Sequence, residues 1–131
     1  MGPPQPNHEL PGRRIPSQRL MPTADSVAAV RRMVCAQLEQ AAVAWHDAVV
    51  VASELATNAV LHARTPYVVE LHVGKVVRIE VTDTGLGAPV LQPSPSNGTS
   101  GRGLVLVAAL SSRWGVEWLD GSKVVWAEVP R

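Results

Sequence analysis

A chain of 131 residues, 46% of them apolar, has room for one domain and enough apolar content to fill its core. Its 12 basic and 11 acidic residues leave a net charge of +1, with no clustered basic face to draw nucleic acid. The single cysteine, Cys35, excludes an intrachain disulfide and argues against a thiolate metal site; no leader-like or membrane-spanning run is seen, so a soluble, cytoplasmic protein is expected.

Residues 1–16 contain Pro3, Pro4, Pro6, Pro11 and Pro16 and little that could be buried, which predicts a flexible tail ahead of a domain at 17–131. His8-Glu9-Leu10-Pro11 has a faint likeness to a histidine kinase phosphoacceptor box, but that box needs a long amphipathic helix and this segment is broken by proline. Residues 17–21 suit a short edge strand. Asp25-Ser26 suits a helix cap, and Val27, Val30, Val34 and Leu38 keep helical spacing to about residue 40. A second helix is expected at 45–63. Residues 67–73 alternate as a strand, and Gly74-Lys75 turns tightly into another at 76–82. Residues 89–100, rich in Pro, Ser, Gly and Asn, read as a mobile loop. A third helix follows Gly103 and ends near Ser112, and Asp120-Gly121 joins final strands at 115–119 and 123–129. The order β-α-α-β-β-α-β-β predicts a two-layer α/β (α+β) sandwich: a mixed, largely antiparallel sheet covered on one face by about three helices.

The second helix carries an unusual stripe. At 100° per residue, Trp45, Ala48, Val49, Ala52, Ala56, Ala59, Val60 and Ala63 share a core face. Opposite them Asp47, Glu54 and Asn58 form a narrow polar line flanked by Val50, Val51 and Leu61. This line is either a solvated stripe or structural hydrogen bonding, or else a pocket wall. As a wall, one carboxamide oxygen suffices for a hydrated Mg²⁺, and Glu54 could orient or deprotonate a nucleophile.

Two glycine clusters follow. Asp83-Thr84-Gly85-Leu86-Gly87 places a carboxylate at a strand end before spaced glycines, which suits a purine amine and a close backbone approach; ordinary turns share the pattern. Ser100-Gly101-Arg102-Gly103-Leu104 opens the third helix, where backbone N–H groups favour phosphate. Arg102 either reaches a phosphate or is solvated.

Taken together, Glu54-Leu-Ala-Thr-Asn-Ala-Val-Leu-His-Ala63, Asp83-Thr-Gly-Leu-Gly87 and Gly101-Arg-Gly-Leu104 resemble, in order and spacing, the N box and two glycine boxes of the Bergerat (GHKL) ATPases. That family joins histidine kinases, gyrase, the Hsp90 chaperone and MutL-type proteins. The single-domain length, Glu54 at the N-box start and the Trp-rich hairpin containing Trp114, Trp118 and Trp126 resemble bacterial anti-sigma-factor serine kinases. The resemblance implies ATP and Mg²⁺ as cofactors. Asn58 would hold Mg²⁺, Glu54 would be the catalytic base and Asp83 would bind the adenine amine. Gly85 and Gly87 would flank the base, residues 88–100 would form a lid, and Gly101, Arg102, Gly103 and Leu104 would lie near the phosphates. His62, one turn after Asn58, would face the phosphates or sit at the helix surface.

The implied partners are an anti-anti-sigma antagonist, phosphorylated on serine, and a sequestered sigma factor, with no direct nucleic acid or membrane contact; relatives are often homodimers. Two alternatives stand beside this: a nucleotide-gated binding module without transfer, and the ATPase half of a split histidine kinase. The lid carries no Lys or Arg before Arg102, which favours the module. Val124 and Val125 stand where many relatives place a small hydroxyl residue for the adenine.

Overall fold

The computed structural model describes residues 12–85 and 99–131. Strand β1 (Arg13–Leu20) leads into helix α1 (Ala24–Gln40) and helix α2 (His46–Asn58), which runs on into a π-helical turn, Ala59–Ala63. Strands β2 (Tyr67–Val73) and β3 (Val76–Asp83), helix α3 (Thr99–Leu110) and strands β4 (Arg113–Leu119) and β5 (Ser122–Pro130) complete it. The order of elements is the one expected. β1, however, begins at Arg13, inside the stretch read as tail; the rest of that tail lies outside the described residues.

The strands form one sheet in the order β1-β2-β3-β5-β4, and every described pairing is antiparallel. This corrects the expectation of a mixed sheet. Strand β4 runs parallel to β3, but β5 lies between them, so no parallel ladder forms. Gly121 takes the left-handed conformation (φ 79°) that the β4–β5 turn needs.

Alternation sorts the strands into two faces. Tyr67, Val69, Leu71 and Val73 of β2, Val77, Ile79 and Val81 of β3, and Val125, Ala127 and Val129 of β5 are buried in the core. Helix α1 meets them with Val27, Val30, Val34 and Leu38, the spacing read from the sequence. Each such aliphatic side chain contributes about 1.5–3 kcal/mol of burial. The α1 N-cap is Thr23 rather than Asp25-Ser26: the Ser26 N–H and hydroxyl both donate to the Thr23 carbonyl, at 3.0 and 2.7 Å.

Helix α2 packs against both α1 and α3. Its buried arc is therefore wider than the stripe expected, and includes Val51, Ser53 and Leu55 beside Ala48, Ala52 and Ala56. Val51, expected beside the polar line, is fully buried, whereas Val50 and Leu61 are exposed. At the C-terminal end the Arg64 N–H donates to the Ala59 carbonyl at 3.0 Å, five residues back, and Arg64 turns left-handed (φ 57°).

Candidate functional site

A pocket lies between the end of α2, β3 and the start of β5, lined by Leu55, Asn58, Ala59, His62, Val81, Asp83, Lys123 and Val125. Three features of the chain converge on it. The last turn of α2 supplies Asn58, and the π turn supplies His62. A π turn spreads a residue more over each turn than an α-helix does, and such turns are frequent at functional sites. Strand alternation brings Asp83 to the helix face in phase with Val77, Ile79 and Val81.

The polar groups of this pocket are buried but incompletely satisfied. Asn58 Nδ2 and His62 Nε2 have no hydrogen-bond partner among the described residues. An orphaned buried polar group costs about 1–3 kcal/mol. Two of them facing one pocket mark a place shaped for a polar ligand. Asp83 is only 3% exposed; the Gly85 N–H donates to its Oδ1 at 2.9 Å, and Lys123 Nζ lies 3.4 Å from the same oxygen. Gly85 itself sits hard against the π turn. A Cβ there would lie 2.8 Å from that of Ala63, so only glycine lets the backbone pass.

Glu54 stands one turn before Asn58, half-buried, and is not among the residues lining the pocket. Burial raises its carboxyl above the ordinary range, while Arg31 of α1 pulls it back. Asp47 is exposed at the start of the helix. Helix α3 begins at Thr99 rather than after Gly103, so Gly101, Arg102 and Gly103 fall within its opening turns. The free N–H groups of a helix start are therefore shifted toward Thr99. Thr99 and Ser100, expected at the end of the lid, are helical. Leu104 is buried and does not line the pocket. Gly87 and residues 88–98 lie outside the described residues.

Lys123 is the wall residue that sequence reasoning missed. It pairs directly with Asp83 in the β3–β5 register. The signal was present: Lys123 shares its parity with the inward-facing Val125, Ala127 and Val129, and a lysine at a core-facing position needs a partner.

A second polar cluster lies on the sheet face away from the helices. The ligand atoms of Glu70, His72 and Glu80 fall within 4.8 Å of one another. Both carboxylates are charge-compensated: Arg14 donates to Glu70, and Arg78 Nε donates to Glu80 at 2.8 Å. Arg78 also donates to Glu128 at 2.8 Å and lies 4.2 Å from the centre of the Trp126 ring.

Residues 20–128 match the model of the histidine kinase-like ATPase domain family. Among curated proteins none matches. A solved structure of the RsbU and RsbW domains of Rv1364c from Mycobacterium tuberculosis matches with a TM-score of 0.65 at 20% identity, covering 88% of this chain and 32% of that one. The likeness is one of fold, and this chain corresponds to a part of that longer protein. Among the described residues no helix is long and apolar enough to cross a membrane. With the family match running from the end of β1 to the end of β5, the chain belongs to the histidine kinase-like ATPase domain family.

Proposed function

We propose that the pocket binds ATP with Mg²⁺ and that the protein is an anti-sigma-factor-type serine kinase. It would phosphorylate an anti-anti-sigma antagonist and sequester a sigma factor. The observation carrying the nucleotide reading is the meeting of Asp83 with the orphaned Asn58 and His62 around one pocket. Both described contacts of Asp83 fall on Oδ1, so Oδ2 is available to accept from the adenine amine. The Asn58 carboxamide would offer its oxygen to hydrated Mg²⁺ and its N–H to a phosphate oxygen. His62 would donate to phosphate, with Gly101 and Gly103 bringing the start of α3 close. Bound Mg²⁺ would bridge phosphate oxygens and neutralise their charge.

In the transfer, the serine hydroxyl oxygen bonds to the γ-phosphorus as its proton passes to Glu54. The bond to the β–γ bridging oxygen breaks, leaving its electron pair on ADP. The raised proton affinity of Glu54 suits it to the task. The base is competent only when ionised, so the rate falls with falling pH on a limb displaced above the ordinary carboxylate range. The similarity to a structure containing an RsbW domain supports the kinase reading at the level of fold.

One observation favours the nucleotide-gated module instead: Glu54 is not among the residues lining the pocket. Calorimetry with ATP and Mg²⁺ tests the shared part of the two readings. Asp83→Asn should weaken binding by about 10-fold or more, and Asn58→Ala should abolish its Mg²⁺ dependence. Labelled ATP with a candidate antagonist then separates them. Phosphoserine that falls about 10²–10⁴-fold in Glu54→Gln, with ATP binding kept, supports the kinase; binding without any phosphoserine supports the module.

A further inference from the structure

The buried Lys123 beside Asp83 is used by neither the fold's apolar core nor the roles assigned above. Its side chain is 4% exposed, it lines the pocket, and it faces Asp83 in the β3–β5 register. An ammonium carries three N–H donors, so the ion pair with Asp83 does not exhaust it. The wall therefore presents an acceptor and a donor side by side, 3.4 Å apart.

We infer that Lys123 is a specificity-determining residue that donates to the N1 ring nitrogen of adenine, so that Asp83 and Lys123 together read the Watson–Crick edge of the base. This rests on the proposal that the pocket takes ATP. Adenine offers an amine donor next to a ring-nitrogen acceptor, the complement of a carboxylate next to an ammonium. Guanine offers the reverse, a carbonyl acceptor next to an N–H donor, and meets like against like at both positions. An unpaired polar group in a buried site is penalised more heavily than a lost contact in water, so a mismatch discriminates strongly. The position is also one where the final hairpin has no hydroxyl to offer: Val124 and Val125 follow Lys123 directly.

The test is calorimetric titration of the full chain with ADP, with 1-deaza-ADP, which replaces N1 by C–H, and with 7-deaza-ADP, which leaves that edge intact. The unaltered protein should bind 1-deaza-ADP about 10- to 100-fold more weakly than ADP and should hold 7-deaza-ADP as it holds ADP. Lys123→Met should lose a similar factor for ADP and should no longer distinguish ADP from 1-deaza-ADP. Equal binding of ADP and 1-deaza-ADP by the unaltered chain overturns the role of Lys123 while leaving the nucleotide pocket standing. Discrimination that persists in folded Lys123→Met overturns it too. If no adenine nucleotide binds the folded chain at all, the pocket reading falls, and this inference with it. The analogue comparison needs no variant, so a misfolded Lys123→Met would not blunt it.

Discussion

Strand β3 carries two buried carboxylates, and the sheet separates their fates. Glu80 faces away from the helices and is held by Arg78, which also reaches Glu128 and lies under Trp126. Asp83 faces the helices, where Lys123 and one backbone N–H meet it, and its neighbours Asn58 and His62 keep orphaned nitrogens. Both clusters are similarly buried, so burial alone does not mark a site. What separates them is closure. The outer cluster pairs its carboxylates with arginines inside the fold, whereas the inner one leaves polar atoms whose partners must come from outside. A closed buried network specifies structure, and an open one is poised for a ligand.

The largest effect that would sharpen this contrast is on the outer cluster. Arg78→Ala leaves Glu80 and Glu128 buried without their central cation. It should destabilise the fold by about 3–5 kcal/mol in chemical denaturation. The ATP affinity of the folded fraction should stay unchanged; a selective loss of affinity would erase the distinction between the faces. The inner cluster should respond with the opposite sign. Asn58→Leu removes an unsatisfied amide from a buried site, and should raise the stability of the ligand-free protein by about 1 kcal/mol while eliminating Mg²⁺-dependent ATP binding. A loss of stability there would mean that Asn58 is structural.

The smallest effect concerns pH. Burial, reinforced by Arg14 and Arg78 and opposed by Glu70, lowers the His72 pKa below its ordinary value. The unfolded chain then binds more protons than the folded one between the two values. Stability from this residue is present above the ordinary histidine pKa of about 6.5 and is lost as pH falls through that window. Thermal melts of His72→Gln should therefore show a shallower decline from neutral to mildly acidic pH than the parent, and an unchanged slope would place the acid sensitivity elsewhere.

Much of this was legible in the sequence because it depends on local period. Alternation marks Tyr67–Val73 to its ends, and the spacing of Val27, Val30, Val34 and Leu38 gives the buried face of α1. Asn58 and Asp83, far apart in the chain, were assigned to one pocket through motif spacing, and the structure brings them together. Other features depend on tertiary neighbours. Val51 is buried because α2 is flanked by helices on both sides, which a single helical wheel does not represent. The Asp83–Lys123 pair depends on β3–β5 register, and that pairing skips α3 and β4 in the chain. The tryptophans likewise separate only in three dimensions: Trp45 and Trp114 pack on the core, Trp126 covers Arg78 on the outer face, and Trp118 is 55% exposed.

The π turn at Ala59–Ala63 also bears on how this chain can change over evolution. A π turn holds one residue more than an α-helical path of the same length would. Deleting any single residue there could preserve a continuous helix, yet it would rotate whatever follows by about 100° relative to Asn58. His62 would leave the pocket wall, and Ala63 would leave its contact with Gly85. Changes of length are ordinarily tolerated best in surface loops. In this stretch of helix, a one-residue gap should be as damaging as a substitution at Asp83, although no side chain in the site would have changed its identity.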